Sequence, residues 1–255
     1  MKSERIGILG TGLIGSSIGL RARAQGHRVF GHDTNALHAQ QAAQRGAIDA
    51  IATIDQLQNE CGVIVVALPV RAACDYLASI DRTAPPHARL MIDVASVKGP
   101  IVLAAQGLAN FVASHPMAGN EGTGPAAADA ALFESKPWLY VPPQDAEVEG
   151  RAVEFINELG GHPFATGAAE HDSMLALTSH IPQLLAYAFA EELRTAGTPE
   201  HVLPYCGPAA RELLRLGRSP LPMWQEIFEN NAVELTRALR TFIARLQREP
   251  PLLRP

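Results

Sequence analysis

Residues 5–15 limit what this chain can fold into more than any other segment. A short apolar run, Arg5-Ile6-Gly7-Ile8-Leu9, is followed at once by Gly10-Thr11-Gly12-Leu13-Ile14-Gly15. The run reads as a buried strand, and the stretch from the last glycine to Gln25 reads as a helix. Gly10 permits the tight turn, Gly12 lets the backbone approach a pyrophosphate, and Gly15 lets helix and strand pack closely. The helix N-terminus, at Leu13 and Ile14, offers N–H groups and a partial positive charge to phosphates. A second strand, 28–32, ends at Asp33, 18 positions after the last glycine. A carboxylate there accepts hydrogen bonds from the adenosine ribose hydroxyls and repels a 2′-phosphate, and Thr34 and Asn35 bring no arginine to hold one. The pattern predicts a dinucleotide site built from Gly10, Gly12, Leu13, Ile14, Gly15 and Asp33, with NAD favoured over NADP. A glycine turn that binds nothing is the plainer alternative.

Further apolar runs at 63–68, 89–94 and 111–114 alternate with helix-compatible segments, which points to an open parallel sheet with helices on both faces. Segments 138–141 and 163–166 read as peripheral strands around a helix over 146–159. Past residue 167 the strand signal disappears. Helical patterns cover 168–196 (interrupted at Pro182), 200–217 and 221–248. The expected fold is therefore α/β. A Rossmann-type, doubly wound, mainly parallel sheet fills residues 1–167, and an all-helical domain fills 168–255. In the last helix Phe228, Leu235, Leu239, Phe242 and Leu246 form an apolar stripe. Burying it calls for a partner: a homodimer through the helical domain, or packing onto the sheet domain. Residues 250–255 read as a frayed tail.

Composition narrows the function. Twenty-six acidic residues against 21 basic ones, a net charge of −5, argue against a nucleic-acid partner. No apolar run is long enough for a membrane span or shaped like a secretory signal. Cys61, Cys74 and Cys206 are odd in number and never spaced as CxxC, which suits a reducing cytoplasm. The nine histidines show no metal-ligand spacing, so no metal site is expected.

Two polar clusters interrupt apolar strands at their C-terminal ends, where open α/β sheets place ligands. They are Asp93-Val94-Ala95-Ser96-Val97-Lys98 and Ser114-His115-Pro116-Met117-Ala118-Gly119. His115 as base and Ser96 as orienting group could share one substrate hydroxyl. Ser96 fits a helix N-cap equally well, and His115 a satisfied strand-end histidine. Lys98 reads as a local charge partner, His171 and Asp172 as a helix start, and Trp138 and Trp224 as core or interface aromatics. Arg211, Arg215 and Arg218 fall on one face if a single helix carries them, a place for an anion or a solvated basic face. His180 lies two residues before Pro182, where a kink would project it into a cleft.

Together these words resemble the prephenate and arogenate dehydrogenase family of tyrosine biosynthesis. The matching stretches are the GTGLIG turn, DVASVK at 93–98, HPMAG at 115–119, Glu170-His171-Asp172, Ser179-His180-Ile181-Pro182, and RELLRLGRSPLPMW from Arg211 to Trp224. The resemblance implies NAD-linked oxidative decarboxylation of prephenate and/or arogenate. In it His115 takes the proton of the ring 4-hydroxyl, Ser96 positions that hydroxyl, and Arg215 binds the ring carboxylate. His180 and Gln183 fall to substrate binding, Gln183 standing where the family often has a second histidine. Asn120, where the family often has Ser or Thr, faces the substrate side chain. A dehydrogenase of an amino-substituted analogue or other small acid, and a non-catalytic dinucleotide sensor, are the alternatives. A sensor needs only the glycine turn and Asp33.

Overall fold

Four of the five residues of β1 (Arg5–Leu9) are fully buried, so this strand must lie inside a sheet covered on both faces. In the computed structural model, which describes residues 3–120 and 122–248, it does. The chain divides into two units, Met1–Ala168 and Ala169–Pro255.

In the first unit, β1 is followed by α1 (Leu13–Ala24), β2 (Arg28–His32), α2 (Ala36–Gln44), β3 (Ala50–Ile51), α3 (Ile54–Glu60) and β4 (Val63–Val66). Then come α4 (Val70–Ser79), β5 (Leu90–Asp93), α5 (Gly99–Ala104) and β6 (Phe111–Val112). The six strands are parallel in the order β3-β2-β1-β4-β5-β6. The order reverses between β1 and β4, and the crevice beyond the strand ends at that reversal is where such sheets take ligands. The glycine turn leaves β1 at that point.

One expected strand is two. The run at 111–114 breaks after Val112, and β7 (Ser114–Pro116) joins a second, three-stranded sheet. There it pairs antiparallel with β8 (Pro137–Tyr140), which pairs parallel with β9 (His162–Ala165). His115 therefore sits mid-strand in the second sheet, opposite Leu139, and not beyond a strand end of the first. An apolar run carries no mark of which sheet it will join; the polar contacts of Ser114 decide it here. The helix α6 (Ala146–Glu158) and β8 share one core with the main sheet, in which Trp138, Phe155 and Ile156 pack with Ile8 and Ile92.

The second unit begins as α7 (Ala168–Leu175) and passes through one π-helical turn, Ala176–His180, into α8 (Ile181–Ala196). The interruption precedes Pro182 instead of falling on it. Proline lacks an N–H and its ring crowds the carbonyl four residues back, and the widened turn absorbs both defects. Ile181 N accordingly donates to Ala176 O, five residues back. The chain continues as α9 (Pro199–Val202), α10 (Pro208–Leu216), α11 (Leu221–Asn230) and α12 (Ala232–Gln247). Both expected helices after residue 199 are thus divided. Pro208 starts a new helix, and Asn231 (φ −118°, ψ 25°) breaks the last one, so the stripe from Phe228 to Leu246 spans two helices. Among the described residues no helix is long and apolar enough to cross a membrane. The tail at 250–255 lies outside the described residues.

Candidate active site

The glycine turn separates what the fold demands from what a ligand would demand. Gly10 has φ +90°, and a Cβ there would lie 2.2 Å from the Ala67 carbonyl oxygen. A Cβ on Gly15 would lie 2.0 Å from the Gly10 oxygen. Both glycines are required by packing alone. A Cβ on Gly12 would meet nothing within 4 Å, so the fold does not need glycine there. Gly12 is also the N-cap of α1 and offers no side chain, and no acid stands in the first turn. The first N–H groups of the helix, at Leu13 and Ile14, lack intrahelical partners and face that space with the positive end of the helix dipole. The arrangement fits an anion.

Asp33 closes this site and also builds it. Its Oδ2 accepts from the backbone N–H of Thr11 at 2.8 Å and from the Thr11 hydroxyl at 3.1 Å, while Oδ1 accepts from Asn35 N at 2.8 Å. A carboxylate has about four acceptor positions, so Oδ1 keeps room for a ribose hydroxyl. That Asp33 also holds the glycine turn through Thr11 has no signal in the sequence. A cavity of about 340 Å³, lined in part by His32, Asp33, Ala36, Gln40 and Thr53, adjoins the carboxylate.

The segments carrying Ser96 and His115 are tied together from beneath. Asp93, at the end of β5, is fully buried. It accepts from Ser114 N at 2.8 Å, from Ala95 N at 2.9 Å and from the ammonium of the equally buried Lys98. Lys98 Nζ also donates to the Ser114 carbonyl at 2.5 Å. The Ser114 hydroxyl donates to the Asp93 carbonyl at 2.5 Å and accepts from the Trp138 indole N–H at 2.9 Å. Burial pushes the Asp93 carboxyl up, and the Lys98 ammonium and the two N–H groups act the other way. All three donors suit a carboxylate, and a buried pair with both oxygens hydrogen-bonded is an arrangement that offsets desolvation.

This knot corrects one reading. Ser96 is not a helix N-cap; Lys98 holds that position in α5, without a side-chain cap bond. Lys98 is a local charge partner, as expected, and a buried one, a strut that pairs with Asp93. Ser96 lies between the two ends of the knot and His115 follows its centre, and both side chains are only half-buried. On β7 the buried residues are Ser114 and Pro116, so the alternation of a strand turns His115 to the opposite side. Asn120 is exposed, and its amide bonds within its own loop: Nδ2 donates to Ala127 O at 3.0 Å, and Oδ1 accepts from Gly122 N at 2.9 Å.

In the helical unit, His180 ends the π-turn and is 1% exposed, between the rings of Trp224 and Phe228, each 6.2 Å away and edge-on. Burial lowers its pKa to about 4, against the pull of Asp172, so the imidazole is neutral at pH 7. His171 and Asp172 do not start the helix. They sit inside α7, both buried, with His171 Nδ1 2.8 Å from Asp172 Oδ1. Asn231, buried between α11 and α12, donates to the Asp172 carbonyl at 2.8 Å and lies 3.2 Å from His180 Nδ1. In the sequence Asn231 stands at the end of the family-like segment that runs on from Trp224, without a role; its partners come from the fold.

Gln183, expected at the substrate, is 3% exposed and donates its amide N–H to Leu216 O at 2.8 Å. It ties α8 to the end of α10. Arg215 is bound by Glu212 on its own helix, Nε to Oε2 at 2.9 Å and an Nη to Oε1 at 2.5 Å. Arg211 turns to the Cys206 carbonyl at 2.9 Å, and Arg218 lies past the end of α10, so the three arginines do not form one helical face.

The nucleotide-binding domain of prephenate dehydrogenase matches residues 18–164, and the dimerization domain of prephenate dehydrogenase matches 167–254. The chain belongs to the prephenate dehydrogenase family. A cyclohexadienyl dehydrogenase of Zymomonas mobilis is 31% identical over 259 residues, which cover 96% of this chain and 87% of that one. A prephenate dehydrogenase of Bacillus subtilis is 30% identical over 243 residues, covering 89% of this chain and 64% of that one. This family member therefore spans most of the first relative and just under two thirds of the second. Its fold also matches a prephenate dehydrogenase from Aquifex aeolicus, solved with hydroxyphenyl propionate and NAD+. The TM-score is 0.86 at 24% identity, over 97% of this chain and 89% of that one.

Proposed function

We propose that this prephenate dehydrogenase family member carries out NAD-linked oxidative decarboxylation of a cyclohexadienyl acid, prephenate, arogenate or both. The observation that carries the reading is the buried Asp93–Lys98–Ser114–Trp138 knot, which fixes the Ser96 segment to the His115 strand and leaves both side chains partly open. A dinucleotide sensor would have no need of it.

The dinucleotide fits the residues at the glycine turn. The space at Gly12, the uncapped start of α1 and the open position on Asp33 Oδ1 suit a pyrophosphate and an adenosine ribose. Bound there, NAD supplies the hydride acceptor. The chain's own residues do the rest. His115 accepts the proton of the ring 4-hydroxyl as hydride leaves the same carbon and carbonyl character develops. Ser96 holds that hydroxyl in line. The ring carboxylate leaves as carbon dioxide, its bonding pair enters the ring, the carbonyl pair moves onto the 4-oxygen, and that oxygen regains the proton from His115 as the ring becomes aromatic.

Arg215 binds the ring carboxylate by exchanging Glu212 for it. The Arg215–Glu212 pair is exposed, and such pairs contribute only about 0–1 kcal/mol, so the exchange is cheap. His180 meets an oxygen of the substrate. The enzyme works as a cytoplasmic homodimer. Leu221, Met223, Val233 and Leu246 of the helical unit are all more than half exposed, a pattern that a second copy would cover. The test is direct: the protein is mixed with NAD and each acid in turn, and the absorbance of reduced cofactor is followed. Reduction with at least one acid is expected; silence with both removes the proposal.

A further inference from the structure

Asn231 Nδ2 stands within hydrogen-bond distance of two groups, the Asp172 carbonyl oxygen at 2.8 Å and His180 Nδ1 at 3.2 Å. A carbonyl oxygen can only accept, so the end of the amide facing it must be the NH₂ group. That fixes which way the Asn231 amide points. An NH₂ group carries two hydrogens, and the second faces His180 Nδ1. A ring nitrogen that receives a proton donor carries no proton of its own, so a neutral His180 has its hydrogen on Nε2. We infer that Asn231 is a positioning residue, which locks His180 in the Nε2–H tautomer and so presents a donor to an acceptor oxygen of the substrate.

The surroundings agree. Trp224 and Phe228 lie edge-on to the imidazole and hold its plane, and the depressed pKa leaves it neutral at working pH. The charged and titratable groups that face it are Asp172 and His171, which are occupied with each other at 2.8 Å. The Asp172 backbone, not its carboxylate, orients Asn231. A locked Nε2–H recognises a carboxylate or carbonyl oxygen and cannot accept from an ammonium group, so His180 reads the anionic part of the substrate. The π-turn that ends at His180 places its ring one register away from where a regular helix would, a use common for such turns at functional sites.

The inference rests on the proposed contact of His180 with substrate, and one experiment separates the two. Full-length protein labelled with ¹⁵N-histidine is studied by long-range ¹H–¹⁵N NMR at pH 7, as wild type and as Asn231→Asp. Steady-state kinetics with NAD and prephenate, and with arogenate, run alongside. The wild type is expected to show Nδ1 unprotonated and Nε2 protonated. Asn231→Asp, which puts an acceptor against Nδ1, should move the proton to Nδ1. KM for the acid should then rise about ten- to a hundredfold while kcat changes much less, the effect of losing one charge-assisted hydrogen bond. A wild-type proton on Nδ1 overturns the inference whatever the variant does, even if the variant fails to fold. A proton that moves in Asn231→Asp with KM unchanged shows that His180 does not meet substrate, which overturns the proposed contact and the positioning role with it.

Discussion

Trp138 donates its indole N–H to the Ser114 hydroxyl across 2.9 Å, and this bond fixes the residue next to His115 from the buried side of the second sheet. Because side chains alternate along a strand, holding Ser114 inward holds His115 outward. The same Ser114 receives the Lys98 ammonium on its carbonyl and reaches Asp93 with both its N–H and its hydroxyl. The geometry around the proposed base is thus set by groups that never touch the substrate.

Lys98→Met leaves the Asp93 carboxylate buried without its cation. Breaking one side of a buried pair costs about 3–5 kcal/mol, so urea unfolding of this variant should show a loss of that order. The double variant Asp93→Asn with Lys98→Met should regain more than half of it. A single variant within about 1 kcal/mol of wild type would mean the pair is not the strut described.

The two glycines of the turn should behave oppositely. Gly15→Ala drives a methyl into the Gly10 carbonyl oxygen and should cost about 3 kcal/mol or more, or abolish folding. Gly12→Ala meets nothing in the protein and should fold with an unchanged melting temperature. Its NAD affinity should fall at least about tenfold, since the methyl occupies the phosphate's space. Calorimetry of binding and a thermal melt on each variant decide the matter.

Stability should fall as pH drops from about 6.5 to about 4. His180 titrates near 4 in the folded protein and near 6.5 once unfolded, so the unfolded chain takes up the proton first. The contribution is complete above pH 6.5 and lost by pH 4, amounting to roughly 3 kcal/mol at 1.36 kcal/mol per pKa unit. His180→Gln should flatten that part of the pH–stability curve. An equal slope in the variant would assign the effect to other groups.

Arg215→Gln should act on substrate and not on the fold. Its pair with Glu212 is exposed, so unfolding free energy should shift by less than about 1 kcal/mol. KM for the acid should rise about ten- to a hundredfold with a smaller change in kcat. A KM that does not move places the carboxylate elsewhere.

What could be read from the sequence follows from which forces are local. The β1–turn–α1 unit and Asp33 announce themselves because glycine conformation and strand ends are set by neighbours in the chain. The strands at 63–66 and 90–93 show as apolar runs for the same reason. The break at Ala113 and the transfer of His115 to a second sheet were not legible, because Ser114 is captured by Asp93, 21 residues earlier. Likewise Gln183 and Asn120 carry amides whose partners, Leu216 and Ala127, could not be known from spacing. The family resemblance placed both at the substrate, and the structure adds the bonds they make within the protein. Asn231 is visible as the end of the family-like segment, and only the fold brings it to His180.

The most direct test of the account is His115→Asn, assayed with NAD and the acid that wild type turns over. Asparagine keeps a hydrogen-bonding group of similar reach but cannot take the proton. The account predicts a kcat about 10²–10⁴-fold lower, with KM within a few-fold of wild type. A kcat equal to wild type would contradict it, since the proton would then be taken by a group other than His115.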